Sequence, residues 1–135
     1  MKAMLCAAAI VAAALTAAVP VAAHHSFAAE FDENKPVKFT GKVTEMRWSN
    51  PHGWIYVDVT GPDGKVVNWA CETGSVNGLY RRGWRKEDLP VGTMLTVEGW
   101  AARNGSPTMN SQSLLLPDGR RLFAGSSNNR SEEAK

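Results

Sequence analysis

The sequence predicts an all-β domain with one short helix, and three observations carry that reading. Residues 54–60, Trp54-Ile55-Tyr56-Val57-Asp58-Val59-Thr60, alternate aliphatic and more polar side chains with the period of two that sends successive residues to opposite faces of a strand. Gly61-Pro62-Asp63-Gly64 follows, with a proline preset for the first turn position and a glycine able to take the left-handed angles that close a three-residue loop. Short apolar runs bounded by Gly, Pro and Asn then recur as far as residue 124, and a single stretch, 75–82, has helical spacing.

Met1 to Ala23 carries one charge, Lys2, ahead of a run of Ala, Val, Leu and Ile that ends Pro20-Val21-Ala22-Ala23. Val21 and Ala23 fit signal-peptidase cleavage before His24, and the run is too short and Ala-rich for a membrane span. The expectation is a periplasmic or secreted protein with no stable membrane anchor once residues 1–23 are removed. Cys6 leaves with that peptide, so Cys71 is the sole cysteine of the mature chain and no intramolecular disulfide forms. Its inward phase predicts a small buried hydrophobe.

The remaining 112 residues (135 − 23) hold 14 basic side chains, Lys2 having gone from the 15, against 13 acidic ones. That is one domain with a modest core. Near-neutrality argues against a nucleic-acid groove or a polybasic membrane patch, both of which need concentrated positive charge. Arg81, Arg82, Arg85 and Lys86 do cluster, but Glu87 and Asp88 follow them, as on a solvated face.

Residues 24–36 show no sustained pattern and read as an N-terminal arm that Phe27 and Phe31 pin to the domain of residues 37–124. From Val37 to Trp48 the chain reads as a long first strand whose apolar phase changes near residues 44–46, which a β-bulge or bend produces. In the hairpin, a loop of Pro62, Asp63 and Gly64 makes Thr60 face Val66, Val59 face Val67, Val57 face Trp69 and Ile55 face Cys71. The apolar sides then coincide, and Trp54, Tyr56, Asp58, Asn68 and Glu72 share the other face. Ser75 is an N-cap for a helix with Val76, Leu79 and Tyr80 on one side, ending by Gly83. Residues 94–101 and 109–116 supply the fourth and fifth strands, and 121–123 a short further piece. The polar residues 125–135 read as a disordered tail. Three strands, a helix and two strands is the order of a five-stranded oligonucleotide/oligosaccharide-binding (OB-like) barrel, with the helix between strands 3 and 4. A small open sandwich of the same strands is the alternative.

The three histidines lie at positions 24, 25 and 52. An N-terminal His24 would offer its amine and imidazole as a chelate, and His25 a second imidazole, a donor set suited to copper(II), then nickel(II) or zinc(II). If the arm folds back, His52 completes the set, with Glu72 or Asp58 orienting it. The spacing matches no closed structural zinc site, and adjacent surface histidines are equally compatible with no function. A second expectation is a small-molecule or glycan platform on Trp54 and Tyr56, with Glu72 beside them, since exposed rings give large contact area at low entropy cost. No P-loop, dinucleotide fingerprint, paired metal-hydrolase histidines or nucleophile elbow is present, so a binding protein is expected rather than an enzyme. A metal-dependent redox enzyme using His52 and Glu72 as acid and base is the third possibility.

His24-His25-Ser26-Phe27 after a signal peptide, Gly41-Lys42-Val43-Thr44, Trp48-Ser49-Asn50-Pro51-His52, Trp69, Glu72, Gly83-Trp84, residues 89–99 and Pro117-Asp118-Gly119-Arg120 resemble a bacterial family of small exported proteins of unknown function. The resemblance covers nearly the whole mature chain and implies no particular activity. More loosely, the strand order is similar to that of exported bacterial barrel domains that bind small ligands, an analogy of fold alone.

Overall fold

The structure, a computed structural model, describes residues 27–125. The predicted signal peptide, His24 and His25, and residues 126–135 of the predicted tail lie outside the described residues. A four-residue helix α1 (Phe27–Glu30) leads directly into β1 (Phe31–Arg47), followed by β2 (Trp54–Thr60), β3 (Val66–Glu72), helix α2 (Val76–Arg81), a 3₁₀ turn (Lys86–Asp88), β4 (Met94–Ala102), β5 (Thr108–Leu115) and β6 (Arg121–Phe123). The chain is therefore mostly β. Among the described residues no helix is long and apolar enough to cross a membrane.

The six strands form one sheet in the order β3-β2-β1-β4-β5-β6, and a further parallel pairing of β3 with β5 bends it into a ring. All other pairings are antiparallel. Strand β1 makes the ring possible by serving both sides: residues 36–42 pair with β4 and residues 42–47 with β2. The handover is at Gly41, where a Cβ would collide with the Asp58 carbonyl oxygen and Val57, and the expected bulge follows between Val43 and Glu45. The bulged Thr44 is held by its hydroxyl, which donates to the Tyr56 carbonyl (3.2 Å) and accepts from the Asn68 amide (3.0 Å).

The β2–β3 register is the predicted one at each position, from Thr60↔Val66 to Ile55↔Cys71. Inside the ring Val43, Ile55, Val57, Cys71, Leu95, Val97, Met109 and Leu114 are at most 2% exposed. Each large aliphatic among them contributes about 1.5–3 kcal/mol by leaving water. Leu79, Trp84, Leu89, Leu116 and Ala124 complete this core, and the Trp84 indole N–H donates to the Phe123 carbonyl (3.1 Å), so the ring's one fully buried tryptophan keeps no unpaired donor. Ser75 caps α2 as predicted, its hydroxyl accepting from the Gly78 N–H (3.2 Å), and Gly83 ends it at φ +92°. Tyr80, by contrast, is exposed beneath the Arg85 guanidinium.

Three expectations need correcting. The predicted arm is part of the sheet from Phe31 onward: Phe31 pairs with Ala102 and is 3% exposed, and an irregularity between Phe31 and Pro36 masks the strand period there. Gly125, assigned to the tail, is buried and donates to the Gln112 carbonyl (3.3 Å). Val67, expected inside, is 43% exposed, because β5 pairs only with Ala70–Glu72 and leaves the first half of β3 uncovered.

Candidate functional site

The loop between β1 and β2, residues 48–53, is tied to the segment after β3 on every side. Gly53 and Thr73 exchange backbone bonds with their neighbours across the gap, Thr73 N–H to Gly53 O (2.9 Å) and Gly53 N–H to Gly74 O (3.2 Å). A Cβ on Gly53 would lie 2.7 Å from the Thr73 hydroxyl, so only glycine lets the loop approach this closely. The Asn50 side chain accepts from the Val76 N–H (3.0 Å) at the start of α2, the Ser49 hydroxyl donates to the His52 carbonyl (2.8 Å), and the Asn50–Pro51 peptide is cis.

His52 is thereby held over the end of β3. Its Nδ1 lies 2.9 Å from Glu72 Oε1 and 3.1 Å from the Thr73 carbonyl oxygen. The carbonyl is an acceptor only, so Nδ1 carries a proton, and the neutral ring has its lone pair on Nε2. The His52 side chain is 37% exposed and that of Glu72 8%. Glu72 thus sits beneath the imidazole, where it orients the ring. Asp58, the other candidate orienter, is further along β2 and accepts from the Asn68 amide (2.8 Å).

Trp54 is half-buried on the same face as Glu72, its partner across the β2–β3 ladder. Tyr56, also half-buried, has the Arg47 guanidinium 4.7 Å above its ring, and Arg47 is anchored by Glu45 (2.6 Å). One face of Tyr56 is therefore already occupied. Cys71 is fully buried, and desolvation pushes its thiol up to about 12, away from thiolate chemistry.

The structure connects this loop with the N-terminal end of the domain through one cross-strand row. Arg47, Trp54, Glu72, Asn110, Trp100 and Pro36 are successive partners across β1, β2, β3, β5, β4 and back to β1. Phe27 packs edge-on against Trp100, with ring centroids 5.3 Å apart, and α1 is fastened by the Arg103 side chain donating to the Ala28 carbonyl (2.8 Å). No local pattern of the sequence marks Asn110, which joins the row only through the closure of β3 onto β5, or the Thr73 carbonyl, a backbone acceptor that residue types do not reveal. Among the described residues no three of His, Cys, Asp and Glu gather as a metal-holding cluster.

Comparison with curated proteins finds no match, and comparison with solved structures finds none. A family of unknown function (DUF6152) matches residues 11–111, most of the chain and all of the His52 site. The chain, with its His52–Glu72 pair set on a ring-like sheet, belongs to that family.

Proposed function

We propose that this protein is an exported metal-binding protein, taking copper(II) or a related divalent transition metal through His52 and the N-terminal His24 and His25. The observation that carries the reading is the pair of acceptors on His52 Nδ1, which leaves Nε2 as the outward nitrogen, the arrangement in which metal-ligating histidines are commonly oriented. One imidazole does not hold such an ion, and the described residues lend no cluster to it. His24 and His25 supply the missing donors. The separation is compatible: Glu72 and Trp100 are two strand steps apart, ~10 Å, and three residues of chain reach about 10 Å. Cleavage after Ala23 is part of the proposal, because it frees the α-amine that completes the chelate. For the fold, the ring order β1-β2-β3-β5-β4 with α2 between β3 and β4 supports an OB-like barrel. His52 then lies in the loop between strands 1 and 2, one of the loops that flank the binding face in such barrels.

The test is copper(II) titration of a chain beginning at His24, followed by electron paramagnetic resonance and visible absorption. One tightly bound equivalent with nitrogen hyperfine structure is expected, weakened in His52→Ala and lost in the His24→Ala, His25→Ala double variant. A chain with one extra N-terminal residue binds more weakly. Equal binding by wild type and double variant would exclude the site.

A further inference from the structure

We infer that the outer face of β1, β4 and β5 carries a second site, which takes a neutral polyhydroxylated ring such as one sugar unit. A surface pocket of about 380 Å³ opens there, between Pro36, Val37 and Lys38 on β1, Glu98, Gly99 and Trp100 on β4, and Gln112 on β5. Its size falls at the lower end of small-ligand sites, room for one ring. Three features build it. The Trp100 ring is half-buried and fixed edge-on by Phe27, so it stands as a flat wall without needing to be ordered by a ligand.

Gln112 comes to the pocket through an irregularity of the ladder. Glu98 pairs with Ser113 and Gly99 with Ser111, so Gln112 is the extra residue of a β-bulge, the device that re-aims a side chain out of the normal alternation. Its carbonyl accepts from the N–H groups of Ala124 (2.8 Å) and Gly125 (3.3 Å), which locks the bulge from behind. A Cβ on Gly99 would overlap the Asn110 carbonyl oxygen, so the β4 backbone can lie against β5 at the bulge only with glycine there.

The charges set the class of ligand. Glu98 is bridged by Lys38 (2.8 Å) and Arg121 (3.1 Å), and Lys38's hydrogen bond foremost holds its carboxyl below the usual range. Among the lining residues the Glu98 carboxylate is matched by the Lys38 ammonium alone, Arg121 lying outside the lining, so the pocket's own charges sum to zero. It offers an aromatic face for the apolar side of a ring, with a carboxylate, an ammonium and an amide placed for hydroxyl groups. This site is separate from the His52 loop and does not depend on metal.

Amide-resolved NMR of the full mature chain, titrated with maltose, cellobiose and chitobiose in turn, reads it directly. At least one disaccharide is expected to shift the amides of residues 37, 38, 98–100 and 112 in the millimolar range, and a linear polyol such as sorbitol is expected not to. Gln112→Ala weakens the effect roughly fivefold through a lost hydrogen bond. Trp100→Phe, which keeps an aromatic ring beside Phe27, weakens it further while the spectrum stays folded. No shifts with any of the three sugars, shifts confined to residues 52–56, or an unchanged response in Gln112→Ala would each overturn the inference.

Discussion

The two ends of the β2–β3 hairpin share one alternation and differ in everything built on it. At the base, Ile55 and Cys71 are fully buried on the inner face while Glu72 is buried on the outer one under His52. At the tip, Val67 is 43% and Val66 58% exposed, and Asn68 on the outer face is exposed as well. The difference is a third strand: β5 pairs with β3 at Ala70–Glu72 and no further toward the tip. Period-two patterning states which way a side chain points, whereas depth comes from what lies beyond it. The candidate metal ligand sits at the end where both faces are covered, which is where a side chain can be held still.

The sharpest way to break this comparison is the thiol of Cys71, at the base. Its labelling by a thiol reagent at pH 8 is expected to be slower in the native protein than in the unfolded chain by about a thousandfold or more, since reaction awaits opening of the ring. Burial raises the folded thiol from its ordinary 9.0 to about 12, so the unfolded chain loses this proton first. The associated stability is therefore complete below about pH 9 and drains away as pH rises toward 12, to be seen as a falling urea midpoint. Rapid labelling at pH 8 would mean that the base is as open as the tip.

Substitutions grade the same contrast. Ile55→Ala at the base should destabilise by about 3 kcal/mol through the cavity it leaves, whereas Val67→Ala at the tip should cost under about 1 kcal/mol, both measured by denaturant unfolding. Equal costs would show the tip to be covered in solution. A subtler effect is expected from Glu72→Gln, which keeps shape and burial but removes the carboxylate beneath His52. Copper affinity should fall about 10- to 100-fold in that variant, as it does when the partner of a ligating histidine is lost. An unchanged affinity would place Glu72 outside the metal site.

The sequence by itself determined the local grammar: the hairpin register, the bulge after Val43, the Ser75 cap and the inward phase of Cys71, because alternation, turn chemistry and capping act over a few residues. It also singled out His52, which the family match now covers. The hairpin register also put Glu72 and Asp58 forward as partners of His52, and only the tertiary structure decided that Glu72 is the one it meets. Asn110, the re-aimed Gln112 and the row from Trp54 to Trp100 depend on β5 lying beside both β3 and β4. The start of β1 at Phe31 was equally hidden, since its register with β4 breaks between Phe31 and Pro36 and the strand period breaks with it. Contacts between residues 72 and 110 or 100 and 110 are set by ring closure, a cooperative property of the whole sheet, and no window of sequence carries them.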